Sequence, residues 1–277
     1  MAGLSLTIAG ASFAGSVGFD PAGDSTITDW YVFGDRSGAG SITGSLTNQA
    51  AGAKAPTVTG ESSIAVNQNN IVIDNVKSEI VSNLAGGSDF TAFAVVTADF
   101  FNATTSPTAQ GNPVTAGMCG VIPFGNIIGS PTLQGIGVQA NAQSANTFRW
   151  EGYSQGAYSG WSTLHQIFTP TAALPISETP ILLALTQTVS TKTLTFYDLT
   201  NAPGNALSAG AMGTGYNVAN TNILIGSSYD AQNGNAPCLG AKLSFWAGFQ
   251  RAMTQTEVQD MATKIRRVLK QNGLVVG

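Results

Sequence analysis

Charge is what this 277-residue sequence has least of. Asp, Glu, Lys and Arg make up 9% of it, against roughly a quarter of an average soluble chain. Polarity rests instead on Ser, Thr, Asn, Gln and 33 glycines. Helix surfaces commonly use Lys, Glu and Arg, whereas Thr and Gly/Asn-rich turns suit sheets. A mostly helical bundle is therefore excluded. The chain has 11 basic residues and a net charge of −4, which excludes a nucleic-acid binder that works by neutralising phosphates. Histidine occurs once, as His165, and cysteine twice, as Cys119 and Cys238. That set excludes a Cys/His zinc site and a disulfide framework. The two cysteines either pair or lie buried as free thiols. No apolar run approaches the ~18 residues of a membrane helix, so no membrane insertion is expected. The start of the chain lacks a positive region before its apolar stretch, since the first basic residue is Arg36. It reads as an arm or opening strand, not as a secretion signal.

What is present is a sizeable hydrophobic fraction, 43%, cut into short pieces. Residues 1–29 are Gly/Ala/Ser-rich and read as an N-terminal arm or extension. From Trp30 onward, short apolar runs alternate with turns rich in Gly, Pro, Asn and Ser. The expected strands are Trp30–Phe33, Ser63–Val66, Asn70–Ile73, Thr91–Ala98, Gly117–Ile122 and Gly135–Ala140. They continue at Thr147–Glu151, Ile181–Thr188, Thr193–Asp198, Asn222–Ile225 and Ala241–Phe249. Many short strands with such punctuation indicate a sandwich or barrel. Thr91–Thr97 and Leu243–Phe249 are apolar on both parities, so both faces are expected to be covered. Thr193–Asp198 alternates, with Leu194 and Phe196 toward a core. Asp74–Asn83 is read as one short helix.

The C-terminus carries a clear helix, residues 254–272. Thr254 and Glu257 have the spacing of a capping box, and Met253 with Val258 that of a hydrophobic staple. Val258, Met261, Ile265, Val268 and Leu269 fall on one face, and Gly273 ends it. Lys264, Arg266, Arg267 and Lys270 gather toward the C-terminal end, where positive charge suits the helix dipole.

Chemistry is sparse. A Ser-His-Asp constellation would require His165, and nothing in the sequence singles out a partner for it. The acids are scattered singly, without the positioned pair that glycoside hydrolysis needs. Glu257 and Asp260 are close, but as first-turn helix residues. No catalytic residue is assigned and no enzyme is expected. The segment 148–161 stands out, with Trp150, Tyr153, Tyr158 and Trp161 among glycines and serines. Sugar rings stack their C–H faces on exposed aromatics, and Arg149, Glu151 and Gln155 carry groups that bind hydroxyls. The same aromatics suit the core of a hairpin equally. The loop 227–235 offers Asp230, Asn233 and Asn235 as oxygen ligands for calcium, but with a single carboxylate, and it also reads as an Asx-rich surface loop. No other cofactor is expected.

Several stretches carry a resemblance to a known family. Ile223-Leu-Ile-Gly226 ends a strand and a polar loop follows. Then come Gly240, the strand Lys242–Gln250, and Arg251-Ala-Met-Thr-Gln-Thr-Glu257 opening the helix. This order resembles the closing segment of concanavalin A-like, laminin G-type jelly-roll domains, with Met253 where Leu is usual. Asp89–Val96 is similar to the family's early core strand, and Pro180–Tyr197 to the hairpin before its Tyr-x-Asn-Gly turn. Asp198-Leu199 departs from that turn. The resemblance spans roughly residues 30–277. It implies an antiparallel jelly-roll β-sandwich of the lectin/glucanase type with one C-terminal α-helix.

Domains of this kind occur in lectins, adhesins, bacterial surface proteins and phage tail fibres. With its low charge and small polar residues the chain looks most like a phage virion protein. The expected role is a tail fibre or tip component that binds host-cell surface glycans without cleaving them. It would sit on the particle surface, made in the host cytoplasm without a signal peptide. A homo-oligomer is expected, since linked weak sites gain affinity; the trimer and contacts to other virion proteins are implied by the analogy. One alternative is a purely structural component, a capsid decoration or tail connector. Another is a glycoside hydrolase, although the Glu-x-Asp-x-x-Glu strand motif of hydrolases with this fold is absent.

Overall fold

The computed structural model describes residues 23–35, 40, 42–50, 52–73, 78–97, 119–126, 135–144, 147–155, 165–168, 172–173, 179–202, 204, 208–211, 219–227 and 241–276. They form an all-β sandwich of two antiparallel sheets with a helix at the C-terminal end. Sheet one runs β14 (Ser208–Ala211), β13 (Thr193–Asp198), β12 (Ile181–Thr188), β6 (Phe90–Thr97), β16 (Lys242–Phe249), β4 (Ile71–Ile73) and β3 (Ile64–Val66). Strand β1 (Ile27–Val32) also pairs with β16. Sheet two runs β10 (His165–Phe168), β9 (Thr147–Gln155), β8 (Gly135–Ser144), β7 (Cys119–Gly125), β15 (Asn222–Ile225), β5 (Glu79–Ala85) and β2 (Thr57–Thr59). A two-residue strand, β11 (Ala172–Ala173), also pairs with β9.

The central strands of sheet one are buried on both faces, as their apolar runs require. Ala92, Ala94 and Val96 of β6 face the inter-sheet core, while Phe93 and Val95 face the helix. In β16 the parity changes partway. Leu243 and Trp246 both enter the inter-sheet core, because the register slips between Leu243 and Phe245. Such a bulge re-aims the side chains that follow it. Phe245, Ala247 and Phe249 then lie under the helix. Leu194 and Phe196 face inward as expected.

The helix α2 (Gln255–Gln271) is built as its sequence dictates. Glu257 N–H donates to Thr254 Oγ1, and Thr254 N–H donates to Glu257 Oε2 at 2.8 Å. Val258, Met261, Ala262, Ile265 and Leu269 are buried with Met253 against sheet one. At the other end Gly273 takes φ +78°. Leu274 N–H bonds to Leu269 O and Gly273 N–H to Lys270 O, the paired bonds of a Schellman cap.

Two expectations change. Residues 79–83 of the expected Asp74–Asn83 helix belong instead to strand β5, with Ile80, Ser82 and Leu84 of the strand buried and Glu79, Val81 and Asn83 half-buried. Period-two alternation overrides the polar texture that suggested a helix. The sandwich also begins before Trp30. Ile27 already pairs with Phe249, and Asp24 is bridged by Arg251 at 2.7 Å.

The open side of the sandwich is closed by polar groups. Asp29 is fully buried, and its carboxylate accepts from Asn83 N at 3.0 Å, Asn83 Nδ2 at 2.9 Å, Thr28 Oγ1 at 2.9 Å and Tyr31 Oη at 3.2 Å. This ties β1 to β5 across the two sheets. Asn48 lies along β1 like a surrogate strand: its Nδ2 donates to Thr28 O and its Oδ1 accepts from Trp30 N. That occupies edge groups which would otherwise invite pairing. Asn48 follows α1 (Ile42–Ser45), a single helical turn.

Candidate functional site

The segment singled out by its aromatics falls on β9 and the residues after it. Alternation assigns two faces to β9. Trp150 enters the inter-sheet core. Gly152 sits so close to Phe196 and Leu185 of sheet one that a Cβ there would lie 2.9 and 3.0 Å from them. Arg149, Glu151 and Tyr153 therefore belong to the face turned away from sheet one. Burial of Trp150, 3% exposed, removes it as a stacking platform for a sugar; it is a core anchor because β9 needs a large residue to fill the gap between sheets.

Tyr153 is also buried, at 5% exposure, although it lies on the outward face. Its ring covers Gly137 of β8, where an added Cβ would sit 2.8 Å from Tyr153 Cζ and Oη. Gly137 thus provides the recess for the ring. An exposed aromatic platform at Tyr153 is not what the structure forms. Tyr158 and Trp161 lie outside the described residues. Gln155 ends β9. The calcium candidates Asp230, Asn233 and Asn235, and Cys238, likewise lie outside the described residues. His165 opens β10, paired with Ser154.

Beside Tyr153 stands a compact polar cluster. Glu151 is fully buried. One of its oxygens accepts from Arg149 Nε at 2.6 Å, the other from Gln139 Nε2 at 2.9 Å. Arg149 is two residues before Glu151 on the same strand, and Gln139 lies directly opposite it across the β8–β9 ladder. The carboxylate is thereby engaged by charge-assisted bonds on both oxygens. It serves to orient Arg149 and Gln139, and its oxygens are not the groups that meet an outside molecule. The Arg149 side chain keeps 19% exposure and reaches the surface from this cluster. Gln139 was not anticipated. The alternation of Ile136, Val138 and Ala140 into the core places it outward, but its facing Glu151 depends on a register that only the paired strands reveal.

The described residues hold no group of three or more His, Cys, Asp or Glu side chains arranged to bind a metal ion. No described helix is long and apolar enough to cross a membrane.

No protein-family model matches the chain, and no curated protein matches it in sequence. Solved structures do. The Trypanosoma rangeli sialidase in complex with sialic acid superimposes with a TM-score of 0.51 at 13% identity, over 86% of this chain and 33% of the sialidase. A second structure of that sialidase gives 0.50 at 12% identity, over 86% and 32%. This chain thus spans about a third of the sialidase's length. Domain 4 of AbnA, a GH43 extracellular arabinanase from Geobacillus stearothermophilus in complex with arabinotriose, gives a TM-score of 0.48 at 15% identity, over 86% of this chain and 98% of that domain. At such identities the sialidase likeness bears on the fold. It agrees with the class the strands define, an antiparallel β-sandwich of jelly-roll type with one C-terminal helix.

Proposed function

We propose that this chain is a non-catalytic glycan-binding sandwich carried on the surface of a phage particle, as a tail fibre or tip component acting as a homo-oligomer. The observation that carries the reading is the Arg149–Glu151–Gln139 cluster on the outward face of sheet two. A buried carboxylate fixes a partly exposed guanidinium on β9, the strand that precedes Tyr158 and Trp161 in the sequence. Pre-oriented donors are a means by which a protein binds sugar hydroxyls without large ordering costs. A structural neighbour supports the glycan part of the reading, since the sialidase of similar fold is bound to sialic acid. The virion part rests on the texture of the sequence and the family resemblance.

The test is a glycan array with the full chain, followed by Arg149→Ala and Trp161→Ala. Retained folding with lost array signal supports the reading. A blank array with the wild-type chain refutes it. One observation favours a second reading, a purely structural virion component: Trp150 and Tyr153, two of the four expected platform aromatics, serve packing. A blank array together with co-assembly of the chain with capsid or tail proteins would establish that role. Release of reducing sugar from a bound oligosaccharide would instead place it among hydrolases.

A further inference from the structure

A cavity of about 420 Å³ opens on the side of the sandwich between α1 and β2, within the size range of small-ligand pockets. Its floor is apolar. Leu46 belongs to the inter-sheet core, Val58 packs against that core, and Pro56 completes the surface. Its rim is polar: Thr43, Thr47 and Glu61 are exposed there. Asn48 forms a wall that cannot fold inward, because its amide already bonds to Thr28 O, Trp30 N and Lys54 O.

We infer that this cavity is a second saccharide subsite, shaped for a single neutral sugar ring; the inference rests on the glycan reading above. A sugar ring offers an apolar C–H face and a circle of hydroxyls. The Leu46–Pro56–Val58 floor matches the first. The Thr43 hydroxyl, the Thr47 hydroxyl oxygen, whose proton goes to Thr43 O, and the acceptor-only carboxylate of Glu61 match the second. Among the described residues Glu61 is the one charged residue of the lining, and it sets the class. A carboxylate facing the ligand accepts from hydroxyls with charge-assisted strength and repels an acidic sugar. Lys54 is close in sequence but does not line the cavity. The subsite is separate from the Arg149 cluster. Five steps across sheet two separate β2 from β9, or about 24 Å at ~4.8 Å per strand. A branched or extended glycan would have to span that distance to hold both.

The experiment titrates the full chain with galactose, glucose and N-acetylglucosamine, and with glucuronate and N-acetylneuraminate, by saturation-transfer NMR and calorimetry. Three variants are compared: Ala55→Trp, which fills the mouth, Glu61→Ala, and Arg149→Ala, each with its melting temperature as the check on folding. The expected result is binding of a neutral sugar that weakens at least about tenfold in Glu61→Ala, the loss of one hydrogen bond to a charged group. Ala55→Trp should abolish the part of the neutral-sugar binding that Glu61→Ala weakens, and Arg149→Ala, which removes the other site, should leave that Glu61-dependent part in place. Neutral binding indifferent to Ala55→Trp and Glu61→Ala overturns the subsite and leaves the glycan reading intact. Binding of acidic sugars alone overturns the assigned class. No binding of any sugar to wild type overturns both.

Discussion

Gln139 and Glu151 face each other across the β8–β9 ladder, with Gln139 Nε2 2.9 Å from Glu151 Oε2. Arg149 holds the other oxygen. Because the carboxylate is fully buried, removing one partner strands charge away from water. Glu151→Ala should therefore cost roughly 3–5 kcal/mol, the range for breaking a buried pair. Glu151→Gln, which keeps the shape, should cost less. Urea unfolding measures both. Equal and small losses would mean that Arg149 finds water in the folded chain and that the cluster does not fix it.

Gly152 is required by the distance between the sheets. A methyl group there meets Phe196 and Leu185 at 2.9–3.0 Å, atoms held by the core. Gly152→Ala should destabilise by about 1–3 kcal/mol through overpacking. Gly273→Ala provides the contrast. It has open space around it but φ +78°, so its cost, about 1 kcal/mol, comes from backbone strain alone. Thermal unfolding separates the mechanisms, since Gly152→Ala combined with Leu185→Ala should lose less than the sum of the two single losses, whereas Gly273→Ala should add to any side-chain truncation.

The elements legible from the sequence are those in which one local rule suffices. The α2 face and its capping box follow from spacing within a few residues, and β6 and β16 follow from uninterrupted apolar runs. Strand β5 reads as helix because Ser82 and Asn83 interrupt its apolar pattern with polarity. Ser82 is inward-facing and satisfied by a bond to Ile223 O at 2.7 Å, from a strand 141 residues away. The site divides in the same way. Arg149 and Glu151 are neighbours in sequence and were read together, whereas Gln139 joins them through pairing. Trp150 and Tyr153 were ambiguous because an aromatic suits a core and a sugar equally. Their burial is decided by Gly152 and Gly137, whose missing side chains bring the opposite sheet and the Tyr153 ring close.

Acid should weaken the junction between the N-terminal strand and α2. At Asp24 burial acts to raise the carboxyl, but hydrogen bonds from Thr26 and Arg251 outweigh it and hold it below its ordinary value of 3.8. Glu257 is held below 4.5 by its bonds from Thr254 and then by Arg251. Both groups bind protons less readily folded than unfolded. The stability they contribute is thus complete above those ordinary values and is lost as the pH falls through the lowered ones. Arg251→Met keeps the aliphatic stem and removes the charge. It should lower the melting temperature at pH 6 and do so progressively less as the pH falls through the lowered values of its two partners. A gap that stays constant across that range would mean that Arg251 acts by packing alone.

Asp29 should show the opposite sign. Burial raises its carboxyl above the ordinary value, an effect that donors from Asn83, Thr28 and Tyr31 offset only in part. Its share of stability is greatest below the unfolded value and declines as the pH rises through the raised one. Among the described residues the hydrogen-bond neighbours of its oxygens are all donors: the Asn83 backbone and side chain, Thr28, Tyr31 and Asn48. Asp29→Ala orphans several of these at once, at about 1–3 kcal/mol for each one left buried and unpaired. Asp29→Asn turns one acceptor into a donor facing donors, so it should be destabilised nearly as much despite its shape. Loss at this position should also free β5 from β1. Amide exchange at Asn83 and Trp30 should then rise before that of the β6–β16 pair. Uniform acceleration across both sheets would show instead that Asp29 supports the whole sandwich and does not specifically close its open side.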